Sequence, residues 1–245
     1  MTKLSIDREL SKAKSLKKRG EIQKAQRVYQ KILSVFPSNN RAIQGLMDLD
    51  KASVEPATEV ETPPEISLLF KFYEDHNYKA VIELASEVVK RKPKAFSAWQ
   101  ILGVASAQEG NLNVAINAFE TAVALCPNNA NAHNNLGNIL QTKGNLAEAI
   151  ISYQTAIKLD NSLHSAHNNL GNALYLQGRL EEAEVALNSA ISLEPDYSVA
   201  LNNLGNVLKA KGLDQKAEVS YRAAINLKPN YFDALNNLGN LLKDQ

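Results

Sequence analysis

The chain is short of the features that mark secreted, membrane-spanning and catalytic proteins. It holds one cysteine, Cys126, in 245 residues. That excludes an intramolecular disulfide framework and fits a reducing compartment; a small residue near a helix end describes Cys126 better than a nucleophile. The start, Met1–Arg8, carries no hydrophobic run, so no cleavable secretory signal is expected. Thr121–Thr142 is free of charge, but it is rich in asparagine and contains Pro127, so it cannot span a bilayer. A cytoplasmic location is the expectation. Charge of one sign is also lacking: the net charge is +1, and nothing global argues for a nucleic-acid partner. The balance is uneven only locally, where residues 1–50 hold eleven Lys/Arg against five Asp/Glu, a local +6, with Lys17-Lys18-Arg19 contiguous. A solvated helix face explains that run, and an anionic partner is the functional alternative.

What is present is repetition. The block Asn-Asn-Leu-Gly-Asn occurs at Asn134–Asn138, Asn168–Asn172, Asn202–Asn206 and Asn236–Asn240, always 34 residues apart. A fixed period of that size is one supersecondary unit copied along the chain. Other residues recur in step. Trp99, His133, His167, Leu201 and Leu235 share one slot; Gly103, Gly137, Gly171, Gly205 and Gly239 share another. Gly110, Gly144, Gly178 and Gly212 follow, then Ala115, Ala149, Ala183 and Ala217. Phe119, Tyr153, Leu187 and Tyr221 come next, and Pro127, Pro195 and Pro229 close their units, with Asn161 where a fourth proline would fall.

Apolar residues at spacings of three and four predict two amphipathic helices per unit. The mid-unit glycine permits the positive φ that ends the first helix. Gly137 and Ala149, with their counterparts, lack bulk and let the paired helices approach closely. The closing proline cannot continue a helix. These residues resemble the tetratricopeptide repeat (TPR), whose pattern Trp99-x2-Leu102-Gly103, Ala115-x3-Phe119 and Pro127 follow closely. The resemblance implies an all-α fold, a right-handed α-solenoid of helix–turn–helix hairpins that binds peptides and other proteins.

The expected organisation has three parts. Residues 1–50 form a divergent hairpin, carried by Leu16, Gly20, Ala25, Tyr29 and Pro37, plus one helix over Arg41–Asp50. Residues 51–65 read as an acidic linker with Pro56, Pro63 and Pro64. Residues 66–245 form the solenoid, with units at about 62–95, 96–129, 130–163, 164–197 and 198–231 and a partial unit at 232–245. In the first of these, His76 stands where the turn glycine is expected. The partial unit supplies a first helix only, leaving Leu235, Leu238 and Leu242 without a second helix to face. Continuation of the protein past Gln245, or self-association through this end, is the expectation.

No catalytic residue, metal site or cofactor is expected, and the chain reads as not an enzyme. His164 and His167 sit three apart on one helix, yet no Cys, Asp or Glu at ligand spacing joins them. His133 and His167 occupy a slot shared with Trp and Leu, which is a packing slot. The Asn-Leu-Gly-Asn glycines lie inside helices, without the strand–loop–helix context of a phosphate loop. Glu181-Glu182 opens a second helix, where acids suit the dipole.

The candidate site is the asparagine face. With Leu136 and Gly137 turned to the core, Asn134, Asn135 and Asn138 fall on the opposite side of the helix at 100° per residue. The TPR resemblance implies that first helices line a concave surface. Along it would run Asn168, Asn169, Asn172, Asn202, Asn203, Asn206, Asn236, Asn237 and Asn240, with Asn131, Tyr175, Lys209 and Lys243 around them. An amide both donates and accepts, so it can pair with any peptide backbone. The same amides could instead hydrogen-bond across repeats and fix the superhelical pitch. The expected partner is a protein or an extended peptide. The asparagines before each Leu-Gly also resemble the ladder in the TPR arms of O-linked N-acetylglucosamine transferases. The array, with its Pro63-Pro64-Glu65 joint, is likewise similar to bacterial TPR–sulfotransferase proteins. That implies an alternative, the substrate-recognition arm of a longer transferase.

Overall fold

A computed structural model describes residues 3–19, 21–35, 40–53 and 64–243. All regular structure among them is helical, and the chain divides into two compact units, Met1–Ala105 and Ser106–Gln245.

In the first unit α1 (Lys3–Lys18) and α2 (Ile22–Val35) pair as the divergent hairpin, and α3 (Asn40–Ser53) packs on both. Apolar residues of α2 at helical spacing turn inward, burying Ala25, Tyr29 and Ile32 against Leu10, Ala13, Ala42 and Leu49. Gly45 of α3 lies on the Tyr29 ring, where a Cβ would collide with it. The helix expected over Arg41–Asp50 therefore exists, and a glycine seats it. The acidic linker falls largely on 54–63, outside the described residues, while Lys51–Ser53 close α3 and Pro64 opens α4 (Pro64–Glu74). Next come α5 (Tyr78–Arg91) and α6 (Phe96–Gln108). His76, in the glycine slot between α4 and α5, takes the left-handed turn at φ 54°, and its ring bonds the Tyr78 hydroxyl at 2.9 Å.

The second unit is a right-handed α-solenoid. Following α7 (Leu112–Leu125), first and second helices alternate: α8 (Ala130–Lys143) with α9 (Leu146–Leu159), α10 (His164–Leu176) with α11 (Leu180–Leu193), α12 (Ser198–Ala210) with α13 (Asp214–Leu227), then α14 (Phe232–Lys243). Gly110, Gly144, Gly178 and Gly212 all have positive φ, between 71° and 91°, as the turn slot requires. A proline is not required to end a second helix. Helix α9 stops at Leu159 although Asn161 stands in the proline slot. There Asp160 Oδ1 accepts from Ser162 N at 3.0 Å and from Ser162 Oγ at 2.6 Å, so an Asx turn holds the bend.

Packing within each hairpin centres on the small–large pair read from the sequence. A Cβ on Gly137 would lie 2.5 Å from Tyr153 Cε1, and one on Gly171 would lie 2.6 Å from Leu187 Cγ. Gly205 sits in the same way against Tyr221. Tyr153, Leu187 and Tyr221 are all buried; full burial of a side chain like Leu187 contributes about 1.5–3 kcal/mol. The first helices of successive hairpins, α8, α10, α12 and α14, contact one another, whereas α9, α11 and α13 stand further apart. The second unit therefore curves with its first helices on the inside.

Candidate functional site

The asparagine blocks lie on those inner helices and are joined by side-chain hydrogen bonds. Asn169 Nδ2 donates to Asn134 Oδ1 at 3.1 Å and to Asn138 Oδ1 at 2.8 Å, both one repeat back. Asn237 Nδ2 repeats the fork, donating to Asn202 Oδ1 and Asn206 Oδ1, each at 3.0 Å. Asn203 Nδ2 donates to Asn168 Oδ1 at 2.9 Å, and Asn168 Nδ2 passes the chain to Asn169 Oδ1 at 3.1 Å. Each inter-repeat donor thus points toward the N-terminus, and the ladder ties neighbouring hairpins together. Linked amides in a low-dielectric interface polarise one another and strengthen the chain.

One geometric expectation needs correcting. Asn134, Asn168 and Asn202 are not on an open face; they are 7%, 4% and 5% exposed. A first helix has two packed sides, one against its own second helix and one against the next first helix, and a single-core helical wheel counts only the former. Of the other candidates, Asn138, Asn236, Asn240 and Lys243 are exposed. Asn131, Asn135, Asn169, Asn172, Tyr175, Asn203, Asn206, Lys209 and Asn237 are half-buried.

Two residues outside the candidate set join the ladder. Tyr153 Oη stands 2.9 Å from Asn138 Oδ1 and 3.0 Å from Gln141 Oε1, and Tyr221 Oη donates to Asn206 Oδ1 at 2.8 Å. Burial pushes the Tyr153 hydroxyl well above the ordinary phenol range and that of Tyr221 up to about 12, so both remain donors at neutral pH. The available signal was the alternation of Tyr, Leu and Tyr in one slot. Where Leu187 replaces the phenol, Asn172 makes no side-chain hydrogen bond among the described residues, and Asn203 donates to Asn168.

The histidine slot also carries a polar function. Trp99 Nε1 donates to the Pro93 carbonyl at 2.8 Å, and the Nε2–H groups of His133 and His167 donate to the carbonyls of Pro127 and Asn161 at 2.9 and 3.1 Å. Each ring ties its helix to the carbonyl six residues earlier. His164 packs edge-on against Tyr197, and no group of three metal-binding side chains occurs among the described residues. Glu182 pairs with Arg179 at 2.6 Å, and Lys211 reaches back to Glu184 at 2.7 Å. No helix among the described residues is long and apolar enough to cross a membrane.

Comparison with known proteins gives consistent matches. The family model described as TPR repeat matches residues 103–144, 137–178 and 171–212, and models described as tetratricopeptide repeat match 199–231 and 10–39. No curated protein matches the sequence. Among solved structures, the chain is similar to TTC0263, a thermophilic TPR protein of Thermus thermophilus. The two are 21% identical with a TM-score of 0.60, over 74% of this chain and 98% of that one. Similar too is YrrB, a TPR protein with an unusual peptide-binding site, at 20% identity and a TM-score of 0.59, over 72% and 91%. MamA from Desulfovibrio magneticus RS-1 aligns at 17% identity with a TM-score of 0.64, over 71% and 99%. At these identities the likeness is one of fold.

Proposed function

The chain belongs to the tetratricopeptide repeat family, and from that premise we propose that it is a protein-interaction scaffold binding an extended peptide or protein segment along an asparagine-lined concave groove. The carrying observation is the set of exposed and half-exposed amides at Asn138, Asn172, Asn206 and Asn240, repeated at 34-residue steps on the inner helices. An extended segment offers backbone groups at regular intervals, and a row of amides meets them without demanding particular side chains. The peptide-binding site of YrrB, a protein of the same fold, supports the same class of ligand.

The test separates ligand contact from ladder integrity. Asn172 has no side-chain hydrogen bond among the described residues, so Asn172→Ala with Asn240→Ala leaves the inter-repeat bonds intact. Pull-down of extended peptides from a displayed library should weaken several-fold in this variant while its helical circular dichroism stays unchanged. Undiminished capture would sink the groove. The outward face of α14 supports a second contact, self-association: Phe232, Leu235 and Leu242 are exposed there. Leu235→Glu with Leu242→Glu should then abolish any concentration-dependent oligomer in sedimentation, and an unaffected oligomer would place that contact elsewhere.

A further inference from the structure

Two consecutive loops between repeats depart from the earlier ones in the same way. Leu193-Glu194-Pro195-Asp196-Tyr197 leads from α11 into α12, and Leu227-Lys228-Pro229-Asn230-Tyr231 from α13 into α14, so Leu-x-Pro-x-Tyr recurs at a 34-residue step. Leu193, Pro195, Leu227 and Pro229 are exposed, and both tyrosines are half-buried. In the earlier loops the tyrosine slot holds Leu163 and Asn129, whose side chain caps α8 by accepting from Ala132 N. Tyr197 forgoes that cap, since α12 has no side-chain bond at its N-terminus.

Packing accounts for the rings of these tyrosines but not for their hydroxyls. Tyr197 stands edge-on to His164 at 5.1 Å between centroids, and the Tyr231 ring carries the Lys228 ammonium at 4.9 Å. Neither hydroxyl has a hydrogen-bond partner among the described residues. Burial, then the neighbouring Tyr231, pushes the Tyr197 hydroxyl up to about 12, and burial with the Asp233 carboxylate raises that of Tyr231. Both are therefore unspent donors at neutral pH.

Charge along this edge is mixed, and most of it is spent. Glu194 and His164 are engaged within the chain, Asp160 accepts from Ser162, and Lys228 lies on Tyr231, while Lys158 near the end of α9 is exposed. The carboxylates of Asp196 and Asp233, each next to or near one of the tyrosines, have no ion-pair partner among the described residues. Spacing then selects the ligand. Tyr197 and Tyr231 open neighbouring inner helices, and packed helices lie about 10 Å apart. A polyproline II segment advances about 3.1 Å per residue, so every third residue moves on about 9 Å, close to one repeat, and its carbonyls are free of internal hydrogen bonds. A β-strand returns the same face every second residue, about 6.6 Å on, and misses the step.

We propose that the loop edge carrying Tyr197 and Tyr231 is a second binding site, separate from the asparagine groove, and that it takes a proline-rich polyproline II segment with a basic residue at one end. Prolines three residues apart lie on the two rings. The hydroxyls donate to backbone carbonyls of the segment, and its basic residue takes the place of Lys228 over the Tyr231 ring, beside Asp233.

Fluorescence anisotropy tests this, with the full chain titrated into a labelled dodecapeptide of Pro-x-x-Pro repeats that ends in arginine. Replacing the peptide's prolines by alanine should weaken binding several-fold, and replacing its arginine by glutamine should weaken it by a margin that fades as salt rises. Tyr197→Phe and Tyr231→Phe keep both rings and should each lower affinity about five-fold, near the worth of one hydrogen bond. Lys228→Ala removes the resident cation and should raise affinity, a gain that poor folding cannot imitate. Asn172→Ala with Asn240→Ala should leave this peptide's affinity unchanged, which separates failure of the edge from failure of the groove. Equal affinity for the alanine-substituted peptide would overturn the polyproline II assignment. Affinity lost in the asparagine variant and kept in both tyrosine variants would overturn the edge and put the peptide in the groove. A single-stranded oligonucleotide that displaces the peptide at equal concentration would overturn the ligand class, and absence of binding at millimolar chain would overturn the site.

Discussion

Two glycines in the same repeat slot should respond in opposite ways to alanine. Glycine inside a helix costs about 1 kcal/mol relative to alanine, so Gly239→Ala, whose new Cβ would meet nothing within 4 Å, should stabilise α14 by about that amount. At Gly171 the propensity gain is the same, but the new Cβ would lie 2.6 Å from Leu187 Cγ and 3.2 Å from the Ala183 carbonyl oxygen. A branch-point carbon and a backbone oxygen cannot swing aside as a flexible chain end can. Overpacking of that kind costs about 1–3 kcal/mol, and the rigidity of both neighbours places this site in the upper half of the range. Gly171→Ala should therefore lose about 1–2 kcal/mol net, a Tm lower by roughly 2–8 °C for a chain of this size. Urea denaturation followed by circular dichroism reads both variants. Leu187→Ala supplies the internal control, because it removes the obstacle: combined with Gly171→Ala it should cost less than the two single losses added together. If Gly171→Ala stabilised the chain as much as Gly239→Ala, the close approach between α10 and α11 would not be what excludes a side chain there.

The turn slot offers a second sign test. Gly178→Ala places a Cβ in open space at φ +76°, so its cost is conformational alone, about 1–2 kcal/mol, whereas His76→Gly at φ 54° should recover part of such a cost; thermal melts of the pair with equal signs would refute it. Tyr153→Phe removes the hydroxyl shared by Asn138 and Gln141 and should cost about 1 kcal/mol, and an unchanged urea midpoint would mean that water replaces the bond. The same phenols make stability pH-dependent: burial raises the folded pKa of Tyr221 to about 12 against an ordinary 10, and that of Tyr153 further. The stabilisation is thus complete below pH 10 and lost as pH rises from 10 through 12; a urea midpoint flat from pH 9 to 11.5 would contradict it, and in Tyr153→Phe with Tyr221→Phe the fall should shrink.

Features set by one residue type at one slot were legible before any coordinates. Positive φ at Gly110, Gly144, Gly178 and Gly212 follows from the one residue that takes it freely for want of a Cβ, and even His76 reveals its turn by where it stands in the period. Gly137 beside Tyr153 follows from pairing a missing side chain with a large one. What escaped were properties of two helices at once. Asn134 looks exposed on a helical wheel because the wheel holds one core, and a solenoid adds a second packed side through the neighbouring repeat. Tyr153 and Tyr221 look like interchangeable core residues beside Phe119 and Leu187 until the distance from phenol to amide is known. The Asx turn at Asp160 was hidden by the expectation that a proline must close each unit.

The ladder divides its labour among three asparagines that are chemically identical. The first of the block in three repeats, Asn134, Asn168 and Asn202, is buried and accepts from the next repeat. The second, at Asn169, Asn203 and Asn237, donates to the previous repeat. The third, at Asn138 and Asn206, accepts from a tyrosine on the second helix of its own hairpin. A carboxamide suits all three because it alone among short neutral side chains both donates and accepts in one plane. Aspartate in the first position would keep the acceptor and bury a charge; serine would keep one donor but shorten the reach between helices. The repetition of Asn-Asn-Leu-Gly-Asn thus serves the joint between repeats before any ligand is considered. Alanine at Asn134, Asn168 and Asn202 therefore strikes the joint between hairpins, whereas alanine at Asn172, which makes no side-chain hydrogen bond among the described residues, leaves that joint whole.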